Sequence, residues 1–239
     1  MIKHSKTGER AMKNEFDNLK VMHEYAWGLI TRGTVDKKSP ALHPTFGTVG
    51  LKGMPELRTV VLRQADQMAA TLEVHTDLKS RKIEELKMNP KVGLHIWFPK
   101  NKLQIRFKAV SEIKTGETLR EKWDTVPYKS RISYGTRPAP GTLILTSFSY
   151  EKPANFERFC VIEVKIEEMD LTHLGTRHTR ALFTRASKWN LACTVNSSIN
   201  FLVNFDYIPL RVMEKDLMPF FGKSCSIVSI WNLVFFKHL

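Results

Sequence analysis

Cysteine is scarce in this chain of 239 residues: Cys160, Cys193 and Cys225 stand far apart and form no CxxC pair. That spacing supports neither a disulfide framework nor a zinc site, and an odd, sparse set reads as reduced thiols in a cytosolic protein. Long apolar runs are missing too. The most apolar stretch, Ser224 to Phe236, spans about thirteen residues against the ~20 a membrane-crossing helix needs. It reads as a core segment or an added tail. The opening MIKHSKTGERAMKNEF lacks the apolar centre of a secretory signal, and Glu9 and Glu15 argue against a mitochondrial presequence. Neither GxGxxG nor GxxxxGK[ST] occurs, which removes the familiar dinucleotide and P-loop sites. No catalytic triad or carboxylate pair is apparent. Acidic residues are the minority: 24 Asp and Glu against 37 Lys and Arg leave a formal charge of +13. Such a balance favours anionic partners, whether nucleic acid, acidic membrane or a phosphorylated ligand. The basic residues are spread along the chain and no recognised motif interleaves them with aromatics, so a nucleic-acid interface is the weakest of these readings.

What is present begins with a helix. Met12, Phe16, Leu19, Met22, Ala26 and Ile30 recur at steps of three and four, the stripe of an amphipathic helix. Gly33 and the Pro-containing stretch to Pro44 end it. From Phe46 the texture turns to short β-type runs: FGTVGL (46–51), LRTVVLR (57–63) and ATLEVHT (70–76). SRKIEELKMN (80–89) reads as a short helix, with Asp77 or Ser80 to cap its start and Asn89–Pro90 to stop it. KVGLHIWF (91–98) and KLQIRFKAVSEI (102–113) read as a hairpin. Short helices are expected over 118–125 and 130–134, then a Pro- and Gly-rich loop (136–142), then strands over 159–171 and 177–185. Adjacent antiparallel strands interrupted by one helix predict a mainly β fold, a small closed barrel with flanking helices.

The candidate chemistry lies at strand ends around the short helix. Arg58 and Arg63 bracket the run RTVVLR, His75 and Thr76 close the next strand, Ser80, Arg81 and Lys82 open the helix, and Gln104 sits in the later hairpin. A helix N-terminus carries unsatisfied N–H groups and partial positive charge, which favours a phosphate. Ser, Arg and Lys in that first turn add a hydroxyl, a bidentate fork and a point charge. Basic residues there oppose the helix dipole unless an anion is bound. Against this stand ordinary alternatives: a solvated helix end, a structural histidine, and two arginines five apart that face opposite sides of an ideal strand. A bend or bulge is needed for Arg58 and Arg63 to reach one ligand.

R-T-V-V-L-R, H-T-D-L-K-S-R-K, N-P-K-V at 89–92 and L-Q-I-R at 103–106 together resemble the pyridoxamine 5′-phosphate oxidase family, in its short FMN-binding branch. The 22 residues from Lys82 to Gln104, the R-P-A-P-G loop (137–141) and RHTRALF (177–183) extend the likeness. It covers roughly residues 20 to 189, with its specific part at 58–106. The resemblance implies an antiparallel FMN-binding split β-barrel that forms a homodimer, with flavin in a cleft between subunits. By the same resemblance Arg58, Ser80, Arg81 and Lys82 hold the FMN phosphate. Arg63, His75, Thr76 and Gln104, with Thr59 and Leu62 of the first run, line the rest of the flavin, Gln104 from either subunit. Tyr128, Arg131 and Arg137 are the candidates for a substrate phosphate. The family's flavin takes a hydride from the carbon bearing the substrate amine and is reoxidised by oxygen, so no side-chain nucleophile is implied.

The pattern breaks in two places. Arg63 stands where the full enzymes commonly carry Lys. After Trp189 the family's Arg-Leu-x-Pro run is missing, and NLACTVNSSINFLVNF follows instead. The chain is therefore divided into a split-barrel domain with its N-terminal helix (1–189) and a divergent C-terminal extension (190–239). The expected function is an FMN-dependent oxidase of pyridoxamine or pyridoxine 5′-phosphate in the cytoplasm. The alternatives are an FMN-binding protein with another redox substrate or none, and a basic nucleic-acid-binding protein.

Overall fold

Period-two alternation of apolar and polar residues sets most of the architecture, because one face of each strand must be covered. The computed structural model describes residues 18–175, 178–186, 189 and 192–194. The strands are β1 (Thr45–Val49), β2 (Pro55–Thr59), β3 (Leu62–Asp66), β4 (Thr71–Asp77), β5 (Lys91–Phe98), β6 (Leu103–Lys114), β7 (Phe159–Leu174), β8 (His178–Thr184) and β9 (Ala192–Thr194). All their pairings are antiparallel, in the order β2-β1-β5-β6-β7-β4-β3, with β8 and β9 added beside β7.

β7 is long enough to serve two arms. Its first half, Phe159 to Lys165, pairs with β4, and its second half, Glu168 to Leu174, pairs with β8. β6 runs along both halves with a register shift between Lys108 and Ala109. A bulge of this kind increases local twist and lets the two arms part. The sheet is thus a split antiparallel barrel, as expected.

Helix α1 (Leu19–Gly33) presents Met22, Ala26, Trp27 and Ile30, each 1% exposed or less, to the barrel core. Full burial of one such large side chain contributes about 1.5–3 kcal/mol, so this stripe binds the helix to the barrel. Asn18 caps it by accepting from the Lys20 and Val21 amides. Of the predicted stripe, Met12 and Phe16 lie outside the described residues, as does most of the 190–239 extension, of which β9 alone is described.

Helix α2 (Arg81–Met88) joins β4 to β5, and α3 (Arg120–Thr125) and α4 (Tyr128–Arg131) join β6 towards β7. A second apolar cluster of Leu119, Trp123, Val126, Tyr134, Phe159 and Val161 seats these last helices on the β4–β7 arm.

One expected element divides. LRTVVLR reads as a single strand, yet β2 ends at Thr59 and β3 begins at Leu62, with a further register shift between Leu62 and Gln64. The physical reason is topological: β2 pairs with β1 while β3 pairs with β4 at the far end of the sheet order. The chain must turn at Val60 and Val61 to pass from one edge to the other. The break required by the two arginines is therefore present.

Candidate functional site

The sequence from the end of β4 into α2 builds the most concentrated polar site among the described residues. Thr76 and Ser80 are both buried, with hydroxyls 3.2 Å apart. The Lys82 ammonium donates to Thr76 Oγ1 at 3.0 Å. Ser80 occupies the N-cap position of α2 but its side chain makes no capping bond. Asp77, the other expected cap, does something else. It accepts from the Lys79 amide at 2.8 Å, from Arg158 Nε and Nη2 at 2.9 and 2.7 Å, and from the Gly135 amide at 2.8 Å. The helix N-terminus is thus left without a side-chain acceptor and with Arg81 and Lys82 in its first turn. That turn is not purely basic, for Glu84 also lies in it.

Arg58 reaches the same region from β2. Its Nη2 donates to Glu85 Oε2 at 2.8 Å, and its Nη1 donates to Thr48 Oγ1 and to the Glu56 carbonyl. Thr48 donates in turn to Glu85 Oε2 at 2.6 Å. Burial lowers the Lys82 pKa below the ordinary lysine value, and the positive charge of Arg58 lowers it further, against the opposing pull of Glu85 and Asp77. Two cations that raise each other's energy around a bare helix N-terminus form an anion site. Arg81, 61% exposed, stands at its mouth, 3.8 Å from Glu56 and 3.6 Å from Glu85.

His75 and Thr76 are neighbours on a strand and so point to opposite faces. Thr76 belongs to the anion site, whereas His75 packs edge-on against Phe159 with ring centroids 4.9 Å apart. Its Nε2 is 2.7 Å from Glu73 Oε1, and Lys122 donates to the other Glu73 oxygen. Burial pushes the Glu73 carboxyl up, but the bonds from His75 and Lys122 outweigh it and hold the group below the usual range. Arg63, in the β3 bulge, lies near Tyr134, whose phenol is pushed up by burial despite that cation. Arg63 Nε and His75 Nδ1 are buried with no hydrogen-bond partner.

The remaining candidates are dispersed. Leu62 is 1% exposed in the core, so only its main chain is available to a ligand. Thr59 is exposed at the end of β2, opposite Thr45. Gln104 pairs with Trp97 and Thr172 and lies on the outward face of β6, in one row with Arg106 and Lys108. Within one chain it faces away from the anion site. Arg131 is committed to main-chain carbonyls of Val126 and Asp124 at 2.9 and 3.0 Å and lies over the Trp123 ring. Tyr128 is 77% exposed, and Arg137 is exposed, with main-chain bonds to Glu151. The structure therefore gathers Arg58, Thr76, Ser80, Arg81 and Lys82, sets Arg63 and His75 on the adjoining face, and leaves Gln104, Tyr128, Arg131 and Arg137 apart.

Three contributors escaped sequence reading, Thr48, Glu85 and Arg158, and Asp77 reads in the sequence only as a cap. Their partners are distant in sequence, as with Asp77 and Arg158 at a separation of 81. Glu85 has a weak local signal, a carboxylate one turn beyond Arg81 on a helix whose neighbouring positions Ile83 and Leu86 are buried.

Comparison with known proteins bears on the family and the fold. Residues 25–114 match the family model described as pyridoxamine 5′-phosphate oxidase, FMN-binding domain. Residues 25–114 thus correspond to the FMN-binding domain of pyridoxamine 5′-phosphate oxidase-like proteins. The chain is 27% identical over 195 residues to pyridoxine/pyridoxamine 5′-phosphate oxidase 2 of Arabidopsis thaliana, covering 74% of this chain and 98% of that protein. It is 36% identical over 75 residues to pyridoxine/pyridoxamine 5′-phosphate oxidase of Thermosynechococcus vestitus, 31% of this chain and 35% of that one. In fold it is similar to a pyridoxamine 5′-phosphate oxidase-related, FMN-binding protein of Nostoc punctiforme, with a TM-score of 0.58 and 22% identity over 72% of this chain and 94% of that chain. PhzG of Burkholderia lata, solved with tetrahydrophenazine-1-carboxylic acid, gives a TM-score of 0.56 and 14% identity over 76% and 95% of the two chains. The cofactor is FMN, and the family is one of FMN-dependent oxidoreductases. The residues present fit its phosphate: the helix start is uncapped, the Lys82 ammonium meets a hydroxyl in place of a carboxylate, and Arg58, paired with Glu85, faces it from β2. No described helix is long and apolar enough to cross a membrane.

Proposed function

We propose that this chain is an FMN-dependent oxidase of pyridoxamine or pyridoxine 5′-phosphate, with the flavin phosphate held by Arg58, Thr76, Ser80, Arg81 and Lys82. The carrying observation is the facing pair Arg58 and Lys82 at the start of α2, bonded to Glu85 and Thr76. Bound FMN supplies the hydride acceptor. His75 lies one residue along β4 from Thr76, and Arg63 lies on the adjoining β3; Arg63 Nε has an unpartnered N–H to donate towards the ribityl chain or ring, while His75 Nδ1, with Nε2 turned to Glu73, is left to accept.

Gln104 joins the same site only from a second copy, because it lies on the outward sheet face. That face carries a trough of ≈ 420 Å³ lined by Gly47, Gly93, His95, Arg106, Asp170 and Arg180, among others. A homodimer that covers this face completes the flavin site. The protein is assigned to the cytoplasm.

The full-length protein purified with its cofactor is expected to be yellow, and to turn over pyridoxamine 5′-phosphate with release of peroxide. A colourless protein that takes up no FMN overturns the flavin reading. A yellow protein with no turnover overturns only the substrate. A second reading, an FMN protein with another redox substrate, is favoured by Arg131, whose fork is spent on main-chain carbonyls.

A further inference from the structure

We infer that Glu85 is a positioning residue of the phosphate pocket, a buried carboxylate that holds Arg58 and faces Arg81 so that both are ready for the phosphate of FMN. The inference rests on the phosphate-site reading above and extends it to a residue outside the first turn of α2.

Glu85 is 1% exposed at its side chain. A buried carboxylate is retained at a cost unless it is paired and hydrogen-bonded. Only half of this one is satisfied. Oε2 accepts from Thr48 at 2.6 Å and from Arg58 at 2.8 Å. Oε1 is buried with no hydrogen-bond partner, and Arg81 Nε stands 3.6 Å from it. Ile83 and Leu86 beside it are apolar and buried, so packing alone would be met by a hydrophobic residue at this position.

Charge and orientation act here with opposite signs. Arg58 lies on β2, an end strand of the sheet order, and its guanidinium feels the repulsion of Lys82. Without Glu85 and Thr48 that repulsion and the entropy of a long side chain would turn the guanidinium towards water. With them and the Glu56 carbonyl three of the four terminal N–H groups are engaged, which fixes the guanidinium plane and leaves Nε–H and one Nη2 hydrogen to meet a phosphate without reordering. Glu85 also places a negative charge near the incoming phosphate, which opposes binding. Fixing the fork is the larger effect, because the carboxylate is already neutralised by Arg58.

The test is a pair of titrations on the full-length apoprotein, with FMN and with riboflavin, which share the ring and differ in the phosphate. The wild type is expected to prefer FMN. Glu85→Gln keeps the shape and removes the charge; its Kd for FMN should rise about tenfold, with riboflavin affinity within about twofold. Thr48→Val leaves the acid and both arginines but removes the bridging hydroxyl, and should shift the preference in the same direction by about threefold. An unchanged or increased preference for FMN in Glu85→Gln overturns the inference while leaving the phosphate site standing. Should Glu85→Gln lose riboflavin as well, Thr48→Val decides, and an unchanged preference there overturns it. A wild type that binds both flavins equally removes the phosphate-site reading and the inference with it.

Discussion

The turn from β4 into α2 and the segment from Tyr128 to Arg137 carry cationic and hydroxyl side chains of the same kinds, yet they are built differently. In the first, Thr76, Ser80 and Lys82 bond to one another, Arg58 bonds to Glu85, and both groups are largely withdrawn from water. In the second, Tyr128 is exposed and Arg131 is spent on carbonyls of its own helices. A site whose side chains are held by each other is ready for a ligand; one whose side chains hold up the backbone waits for something to complete it. On the proposed reading, the difference separates a preformed cofactor half from an unassembled substrate half.

The two regions are tied together at one point, and breaking it gives the largest expected effect. Asp77, at the end of β4, bonds Arg158 and the Gly135 amide, and Arg158 also reaches the Thr136 carbonyl. Gly135 has φ +132, and a Cβ there would lie 2.1 Å from the Pro153 oxygen, so no other residue fits the turn that receives this bond. Asp77→Ala leaves Arg158, only 12% exposed at its side chain, without its counter-charge. A loss of about 3–5 kcal/mol is expected, read by urea unfolding. A loss below about 1 kcal/mol would show the two regions to be independent.

Next in size is the cofactor half alone. Arg81→Ala with Lys82→Ala removes a fork and a point charge while leaving the Asp77 latch intact. FMN affinity should fall about a hundredfold, two charge-assisted contacts of roughly 1.5 kcal/mol each, with the apoprotein unfolding within about 1 kcal/mol of wild type. FMN retained at wild-type affinity would place the phosphate elsewhere.

A third effect is read by pH. Because burial and Arg58 depress the Lys82 pKa, the unfolded chain binds more protons than the folded one between the folded value and the ordinary lysine value. Stability from this group therefore rises with pH through that window. FMN affinity does the reverse, since the phosphate needs the protonated ammonium. Opposite slopes in alkaline solution, both abolished by Lys82→Met, are the expected signature. Parallel slopes would detach Lys82 from the ligand.

The same contrast explains what the sequence disclosed. The anion site was legible because its signal is local: Ser80, Arg81 and Lys82 adjoin at a helix start, and Thr76 is a few residues upstream. The barrel was legible from alternation in β4, β5 and β6. The split between β2 and β3 was hidden, because Val60 and Val61 are β-branched and continue a strand pattern; only the remote partners of each half reveal the turn. Glu85 and Arg158 were hidden for a related reason. A carboxylate on a short helix and an arginine before a strand are ordinary, and their meaning comes from Arg58 and Asp77, brought close by the fold. His75 and Thr76 adjoin in sequence, yet the strand pleat sends them to two faces, a difference that their adjacency alone does not show.

The smallest effect belongs to the substrate half. Tyr128 is 77% exposed and brings the one hydroxyl of the Tyr128, Arg131 and Arg137 trio. Removing that hydroxyl in Tyr128→Phe should leave unfolding within about 0.5 kcal/mol of wild type, as for a surface change away from caps and networks, and should leave FMN affinity unaltered. If the segment closes over a phosphorylated substrate, KM for pyridoxamine 5′-phosphate should rise by about threefold to tenfold with kcat retained, the signature of a uniform binding contact. A KM equal to wild type would separate this segment from the substrate and turn the search towards Arg63 and Tyr134. There an arginine nitrogen is already buried without a partner beside the flavin half.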